Sequence, residues 1–564
     1  MSLEPISRYH QAVSNKPPMF QSPSIPAVAD SLVARAERRF DRMSPAQLAE
    51  LLSDTVYKER LRFEDSAPAP EELAEIDNAA RAITDGSRPS LLAALRRLVR
   101  GYGEEIHNPF STRAYKVATR VLPRALSNLV SATDPKRLLM RDLDPSDKIQ
   151  IQGPVEQIKR LAERGTIILA PTHLSNLDSP LIGYALYQLG LPPFAYGAGL
   201  NLFSNPMMAF WMSRLGAYTV DRRKQGRLYK DTLKDYSVEI LRHGHHSLFF
   251  PGGTRSRSGM VEKNLKKGLL GTGLQAWQEN LNEGRGEDGE IFVVPLTLST
   301  ELVLEAETLM RDNLAREGKQ RYIIGDDEFS QPRTVASFLR RILALDEGVH
   351  VTFGAPMDPL GNPVDERGRS IDPMGKPIDR RRYVRDSEGL VEWDAQRDRQ
   401  YTEGLARALV KAYHRDNVIL STHLAAMAAW RVFEKRHPTL DTWRLVRIEA
   451  GGRRMDKPDV VAEIEHVLAS LRPLQQAGHV RLSTPDTAEE ILRVALQRFA
   501  SFHTRNAIRK VGATLVVDPE LLLFYRNRMV GYGLDSEDTH AARGPKPPGP
   551  PGLPSGSPDV GVQP

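Results

Sequence analysis

His173 stands in "ILAPTHLSNLDSP" (168–180), just past a short apolar run of β type, with Asp178 five residues on. A turn at Asn176 brings such a carboxylate back to the imidazole. A carboxylate bonded to one ring nitrogen fixes the tautomer and leaves the other nitrogen as a base. It also stabilises the imidazolium that forms. The pair is the base half of a Ser-His-Asp triad without its serine, suited to deprotonating a substrate hydroxyl directly. With 14 histidines in the chain, about one H-x-x-x-x-D arises by chance, so the spacing needs support from elsewhere.

The support lies downstream, at three more strand ends. "GAYTVDR" (216–222) finishes on Arg222. "FFPGGTRSRSG" (249–259) runs from two buried-type aromatics through a Pro-Gly-Gly turn to Arg255 and Arg257. "VVPLT" (293–297) has Pro295 closing an apolar run. The arginine turn is either an exposed basic loop or a seat for something doubly negative. Residues at the strand ends of an α/β sheet commonly converge on one site.

The elements that must position these residues follow from periodicity. Residues 1–27 carry prolines without periodicity and are expected to form a flexible arm. Residues 28–150 repeat apolar positions at helical spacing, as in "AQLAELLSDTVYKERL", and form a helical N-terminal region. Over 151–417, β-type runs (165–173, 192–198, 217–222, 247–253, 291–299, 350–358) alternate with helical ones (179–190, 205–216, 231–244). That alternation predicts an α/β domain, a mixed sheet covered by helices. Within it, "DPLGNPVD" (358–365) recurs as "DPMGKPID" (372–379), which predicts a hairpin insert over 355–395. Residues 418–535 read as a C-terminal helical region, and the Pro/Gly-rich 536–564 as a disordered tail.

Composition narrows the classes. Charged residues make up 26% and hydrophobic residues 40% of 564, as in ordinary globular proteins. No apolar run reaches the roughly 18 residues of a spanning helix, and the polar first 30 residues lack a signal peptide's apolar stretch. A cytoplasmic address is expected. Cysteine is absent, which excludes disulfides, thiol catalysis and cysteine-ligated zinc. A net charge of +6 suits anionic partners without choosing among them. No zinc-finger spacing or RNA-binding sheet motif accompanies the basic clusters, so no nucleic acid is expected. "KNLKKGLLGTG" lacks the Walker spacing. "RHGHHS" (242–247) reads as a helix end rather than a metal site. "MMAFWM" (207–212) reads as core, with acyl-chain or bilayer contact as the alternative.

The ordered blocks "HLSNLD", "GAYTVDR", "FPGGTRSR" and "VVPLT" resemble those of the glycerolipid acyltransferase superfamily: H-x-x-x-x-D, G-x-x-F-x-x-R, F-x-E-G-x-R-x-R and a hydrophobic V-P block. "DNVILSTHLAAMA" (416–428) and "LLLFYRNRMVGYGL" (521–534) resemble its glycerol-3-phosphate branch in particular. The resemblance implies a reaction. His173 takes the proton of the sn-1 hydroxyl of glycerol 3-phosphate, and the oxygen attacks the thioester of an acyl-CoA or acyl-carrier protein. Asp178 orients and charge-balances His173. Neither an acyl-enzyme nor a metal or cofactor is implied, and Ser175 has no G-x-S-x-G elbow around it.

The phosphate is expected on Arg255 and Arg257, whose planar forks match phosphate oxygens. Backbone N–H groups at Gly252 and Gly253 join them, with Arg222 and Lys266 as further cations. Pro295 belongs to the acyl or structural block. The third block departs from the family: Gly252 stands where Glu is usual, as in the plastid-type enzymes with their serine-glycine-glycine turn, and this puts that Glu's contact with the polyol in doubt. Thr219 replaces an aromatic or aliphatic residue in the second block. The alternatives are a lysophosphatidate or dihydroxyacetone-phosphate acyltransferase, or an inactive homologue that binds phospholipid membrane. A lipid product implies peripheral contact with an anionic membrane surface.

Overall fold

Why the chain folds around residues 149–353 is plain from strand β2 (Gly165–Pro171), where side chains alternate between two cores. Ile167 and Leu169 face one hydrophobic cluster, while Ile168 and Ala170 face another. A strand buried on both faces must be covered on both faces. The computed structural model describes residues 24–118, 149–200, 206–317, 348–501, 503 and 505–534. The expected tail at 536–564, most of the expected arm and the stretch 119–148 lie outside the described residues.

The central sheet has seven strands in the order β1-β7-β6-β2-β5-β3-β4. These are β1 (Ile149–Gln152), β2, β3 (Ala195–Gly199), β4 (Ala217–Val220), β5 (Ser247–Leu248), β6 (Glu290–Thr300) and β7 (Val349–Phe353). β6, β2, β5, β3 and β4 run parallel, whereas β7 is antiparallel to β6, so the sheet is mixed as expected. The turns after β2, β4, β5 and β6 therefore open on the same edge.

Four N-terminal helices, α1 (Ile25–Phe40), α2 (Pro45–Asp65), α3 (Pro70–Asp85) and α4 (Arg88–Ile106), form their own apolar cluster. α1 begins inside the expected arm because Ser24 caps it, accepting the Ala27 N–H at 3.4 Å, with proline in the first turn. The chain then adds α5 (Val155–Arg164), α6 (Asp178–Gln188), α7 (Pro206–Met212), α8 (Arg227–Arg242) and α9 (Lys267–Asn282) around the sheet. The bundle docks through the buried Arg35 of α1. Its guanidinium meets Asp235 (3.2 Å) and Glu239 (2.8 Å) of α8 and Glu279 (2.8 Å) of α9. A buried cation flanked by three carboxylates fixes one docking geometry, because leaving any of these charges unpaired is costly.

α10 (Ala306–Glu317) follows β6, and α11 (Ala395–Asp416) packs on the face that carries Ile168 and Val293. Between β7 and α11 the expected hairpin pair is a longer series. Asp358, Asp365, Asp372 and Asp386 each open a tight turn that closes on a glycine three residues later. In each turn the aspartate Oδ1 accepts two backbone N–H groups, and the glycine takes φ between +79° and +92°. The first three turns open seven residues apart and the fourth fourteen residues after the third, with "DERG" (365–368) as the copy between the two octamers.

The C-terminal region is built from α12 (Ser421–Arg436), α13 (Lys457–Gln476), α14 (Ala488–Phe499) and α15 (Pro519–Arg526). It also holds five short strands, which helical periodicity does not show: β8 (Val418–Leu420) with β10 (Arg481–Ser483), and β9 (Arg454–Asp456) with β11 (Ile508–Val511) and β12 (Thr514–Val517). α12 is apolar nearly all round and is buried from Ser421 to Trp430, so it is the hydrophobic axis on which the other three pack.

Candidate active site

β2 ends at Pro171, and the chain then loops to the N-terminus of α6. Asp178 opens that helix, and its Oδ2 gathers three donors. It accepts the backbone N–H groups of Leu174 (2.6 Å) and Ser175 (2.9 Å) and meets His173 Nδ1 at 2.9 Å. The loop is thus wound around one carboxylate, which sets the imidazole tautomer with Nδ1 protonated. Among the described residues no partner takes Nε2 of His173. The His173 ring lies on Phe250 with centroids 4.0 Å apart, which fixes its plane. Asp178 is buried and His173 is 13% exposed at its side chain, so the base is recessed yet reachable.

The Pro-Gly-Gly turn after β5 lies beside this loop. Ser256 N–H donates to the His173 carbonyl at 2.8 Å, and Gly253 N–H to Phe250 O at 2.9 Å. Gly253 has φ +78°, and a Cβ there would lie 2.6 Å from Lys266 Cδ. Only glycine lets the Lys266 stem cross the turn at that distance. Arg222, at the end of β4, belongs to the same group of cations. Although exposed by surface area, its guanidinium is partly walled off from water. That loss of solvent, followed by the like charges of Arg255 and Arg257, holds its pKa below the ordinary arginine value. Among the described residues, neither Arg222 nor Lys266 has an ion-pair partner.

Arg255 and Arg257 differ from the simple expectation of two free forks. Arg255 Nη1 sits 3.2 Å from Glu305 Oε1, and Arg257 Nε pairs with Asp312 on α10. Glu305 is fully buried just after β6. Its two oxygens also accept Ser175 Oγ–H (2.7 Å) and Asn176 N–H (3.0 Å). This one carboxylate therefore ties the loop of His173 to the turn of Arg255. Glu305 and Asp312 escaped the sequence reading because neither lies in a recognisable block. The one signal for Glu305 is its position just past the C-terminal end of a buried strand, whereas Asp312 lies on the helix that follows and carries none.

Pro295 does not close its strand. β6 continues to Thr300, with Pro295 buried opposite Ala170 of β2. The missing N–H falls where the neighbour on the other side changes: Leu296 onward pairs with β7, whereas Val293 bridges Met357 and Gly354 N–H reaches Pro295 O at 2.8 Å. Proline is tolerated in a central strand at such a break in the ladder. The position is structural, inside the sheet.

The C-terminal region reaches the same place. Asn527 Nδ2 donates to Ser258 O at 2.8 Å, and a Cβ on Gly259 would meet Phe524 O at 2.2 Å. Arg528 is buried, and its Nη2 donates to Leu298 O at 2.6 Å. The stretch 521–534 is thereby a wall of the site. The histidines of "RHGHHS" do not gather. His243 caps α8, and His246 Nδ1 accepts the Ile167 N–H at 3.0 Å, its pKa pushed down to about 4 chiefly by burial. Among the described residues no three side chains are grouped to hold a metal ion. In α7, Met212 is buried as expected of core, but Phe210 is 49% exposed, with Arg214 over its ring at 4.1 Å.

A family model described as Acyltransferase matches residues 152–299, a span that contains all four blocks. The chain is 29% identical over 290 residues to a glycerol-3-phosphate acyltransferase of Glaesserella parasuis, covering 49% of this chain and 32% of that protein. It is 31% identical over 211 residues to a glycerol-3-phosphate acyltransferase of Haemophilus ducreyi, covering 37% and 24%. The chain thus spans only a quarter to a third of the length of these curated relatives. A 1-acyl-sn-glycerophosphate acyltransferase from Thermotoga maritima aligns at 16% identity over 53% of this chain and 91% of that one, with a TM-score of 0.25, too low to bear on the fold. Residues 152–299 thus match an acyltransferase family model, and around that span the chain is similar to the glycerol-3-phosphate acyltransferases of these bacteria.

Proposed function

We propose that the protein transfers an acyl group from the thioester of acyl-CoA or acyl-carrier protein to the sn-1 hydroxyl of glycerol 3-phosphate. The observation that carries this reading is the His173–Asp178 pair, its Nε2 open, beside a turn bearing Arg255 and Arg257, with Arg222 from the end of β4 close to both. Nε2 removes the proton of the hydroxyl as the oxygen attacks the thioester carbonyl. The imidazolium, stabilised by Asp178, then gives that proton to the departing thiolate as the C–S bond breaks. Free thiol and 1-acyl-glycerol 3-phosphate are the products.

The phosphate dianion is held by Arg222, Arg255, Arg257 and Lys266. Binding offsets the mutual repulsion of the arginines, and Glu305 and Asp312 hold two of them in place before it arrives. The test is transfer from labelled acyl-CoA and acyl-carrier protein to glycerol 3-phosphate, dihydroxyacetone phosphate and lysophosphatidate. Glycerol 3-phosphate is expected to be the best acceptor. Arg222→Ala should raise its KM by about 10- to 100-fold, the weight of a charge-assisted hydrogen bond, with the KM of the thioester unchanged. Equal KM values in wild type and variant would remove Arg222 from the phosphate site.

A lipid product requires a hydrophobic destination. Among the described residues no helix is long and apolar enough to cross a membrane. Peripheral contact is proposed instead, through exposed Phe210 and nearby basic side chains. Phe210→Ser should reduce co-sedimentation with anionic phospholipid vesicles. Sedimentation equal to wild type at low and high salt would place the contact elsewhere.

A further inference from the structure

The turn that carries the arginines lacks a side chain at Gly252, and the structure shows what fills the space. Gly252 does not adopt a positive φ, so its backbone would accept any L residue. A Cβ at this position would lie 3.1 Å from Glu262 Cγ and 3.6 Å from Glu262 Oε1. The carboxylate of Glu262 therefore occupies the volume into which a glutamate at 252 would project.

From there Glu262 Oε1 accepts the backbone N–H of His173 at 2.6 Å. The peptide groups on either side of the base are thus both held, the N–H by Glu262 and the carbonyl by Ser256 N–H at 2.8 Å. Glu262 Oε2 is buried and, among the described residues, has no hydrogen-bond partner. A buried carboxylate left half satisfied is costly, and such a cost persists where the group does something else. The titratable groups around it are Arg528 from the C-terminal wall, Asp178 from the loop of the base and the neutral Tyr413 hydroxyl of α11. Burial, more than any of these, pushes the carboxyl up to about 7, so it is partly neutral at physiological pH. The neutral form still offers Oε1 to the His173 N–H.

We infer that Glu262 is a positioning residue for His173, standing in space for the side chain that Gly252 lacks, a role that rests on the acyl-transfer reading above. It acts through the peptide of the base, so it governs turnover more than acceptor affinity. The number of residues between the two acidic positions matters little. What matters is that the carboxylate arrives at one place from either side of the turn.

The experiment compares Glu262→Ala, Glu262→Gln and the double variant Gly252→Glu/Glu262→Ala in the full chain. Glu262→Ala should lower kcat about 10- to 100-fold, the scale of a misplaced catalytic group, with both KM values little changed. Glu262→Gln keeps the acceptor oxygen and should stay near wild type. The double variant should recover most of the loss, because its new glutamate reaches the vacated site. In parallel, hydrogen exchange of the His173 amide is followed without substrate. It should quicken in Glu262→Ala and slow again in the double variant. A Glu262→Ala protein with wild-type kcat and unchanged exchange would overturn the role. So would a double variant no better than Glu262→Ala in both measurements. If Glu262→Ala does not fold, the exchange and kcat of Glu262→Asp, too short to keep the bond, take its place against Glu262→Gln. Absence of acyl transfer by the wild type would sink the acyl-transfer reading alone, since the exchange measurement still decides whether Glu262 holds His173.

Discussion

His173→Ala is expected to lower kcat/KM for glycerol 3-phosphate by about 10²- to 10⁴-fold, the usual weight of a positioned general base. The expectation rests on geometry. Asp178 holds Nδ1 at 2.9 Å and Phe250 backs the ring at 4.0 Å, so Nε2 has one direction left to face. The fall should be in kcat, because the imidazole contributes to the transition state and little to ground-state binding. Binding of glycerol 3-phosphate to the variant, followed by calorimetry, should persist through the arginine group. Loss of binding together with loss of turnover would mean that His173 holds the substrate and that the base lies elsewhere.

Glu305→Ala should have an effect of similar size by a different route. Glu305 is fully buried, and its oxygens hold Ser175, Asn176 and Arg255. Truncation removes one acceptor at once from a hydroxyl, an amide and a guanidinium. The cost should approach the roughly 3–5 kcal/mol seen when one partner of a buried ion pair is removed. The loop between His173 and Asp178 also loses its outer anchor, so kcat/KM should fall about 100-fold, as for a small misplacement of the reacting groups. Glu305→Gln preserves two acceptor contacts and should recover stability more than phosphate affinity, because its amide does not neutralise Arg255. A melting curve and steady-state rates on the two variants check this. Wild-type rates in Glu305→Ala would show that the loop needs no anchor.

Much of this site is legible along the chain because the fold delivers one block per strand end. His173 follows β2, Arg222 follows β4 and the arginine turn follows β5. A reader needs only the β-type runs to place them on one edge. Asp178 is legible too, since a five-residue loop can close on itself. What hides is whatever acts across long separations. Glu262 meets His173 from 89 residues away and Glu305 meets Ser175 from 130, and nothing local marks either carboxylate as buried. Pro295 misleads in the other direction. Proline reads as a stop, yet a strand whose ladder breaks at that residue, so that no partner needs its N–H, can carry it through. The five C-terminal strands are three or four residues each, shorter than any alternation can reveal. Gly252 is the most instructive position. In the sequence it reads as a missing acid that puts the contact with the polyol in doubt. In three dimensions Glu262 lies against it, with its Cγ 3.1 Å from where a Cβ would stand.

The most direct test of the account is a single incubation of the full chain with a thioester labelled in its acyl group and glycerol 3-phosphate, followed by separation of the lipid products. The account predicts labelled lysophosphatidate acylated at sn-1, with free thiol released in equal amount and none formed when the acceptor is omitted. Thiol released at the same rate without glycerol 3-phosphate, or label found only on another acceptor, would contradict it.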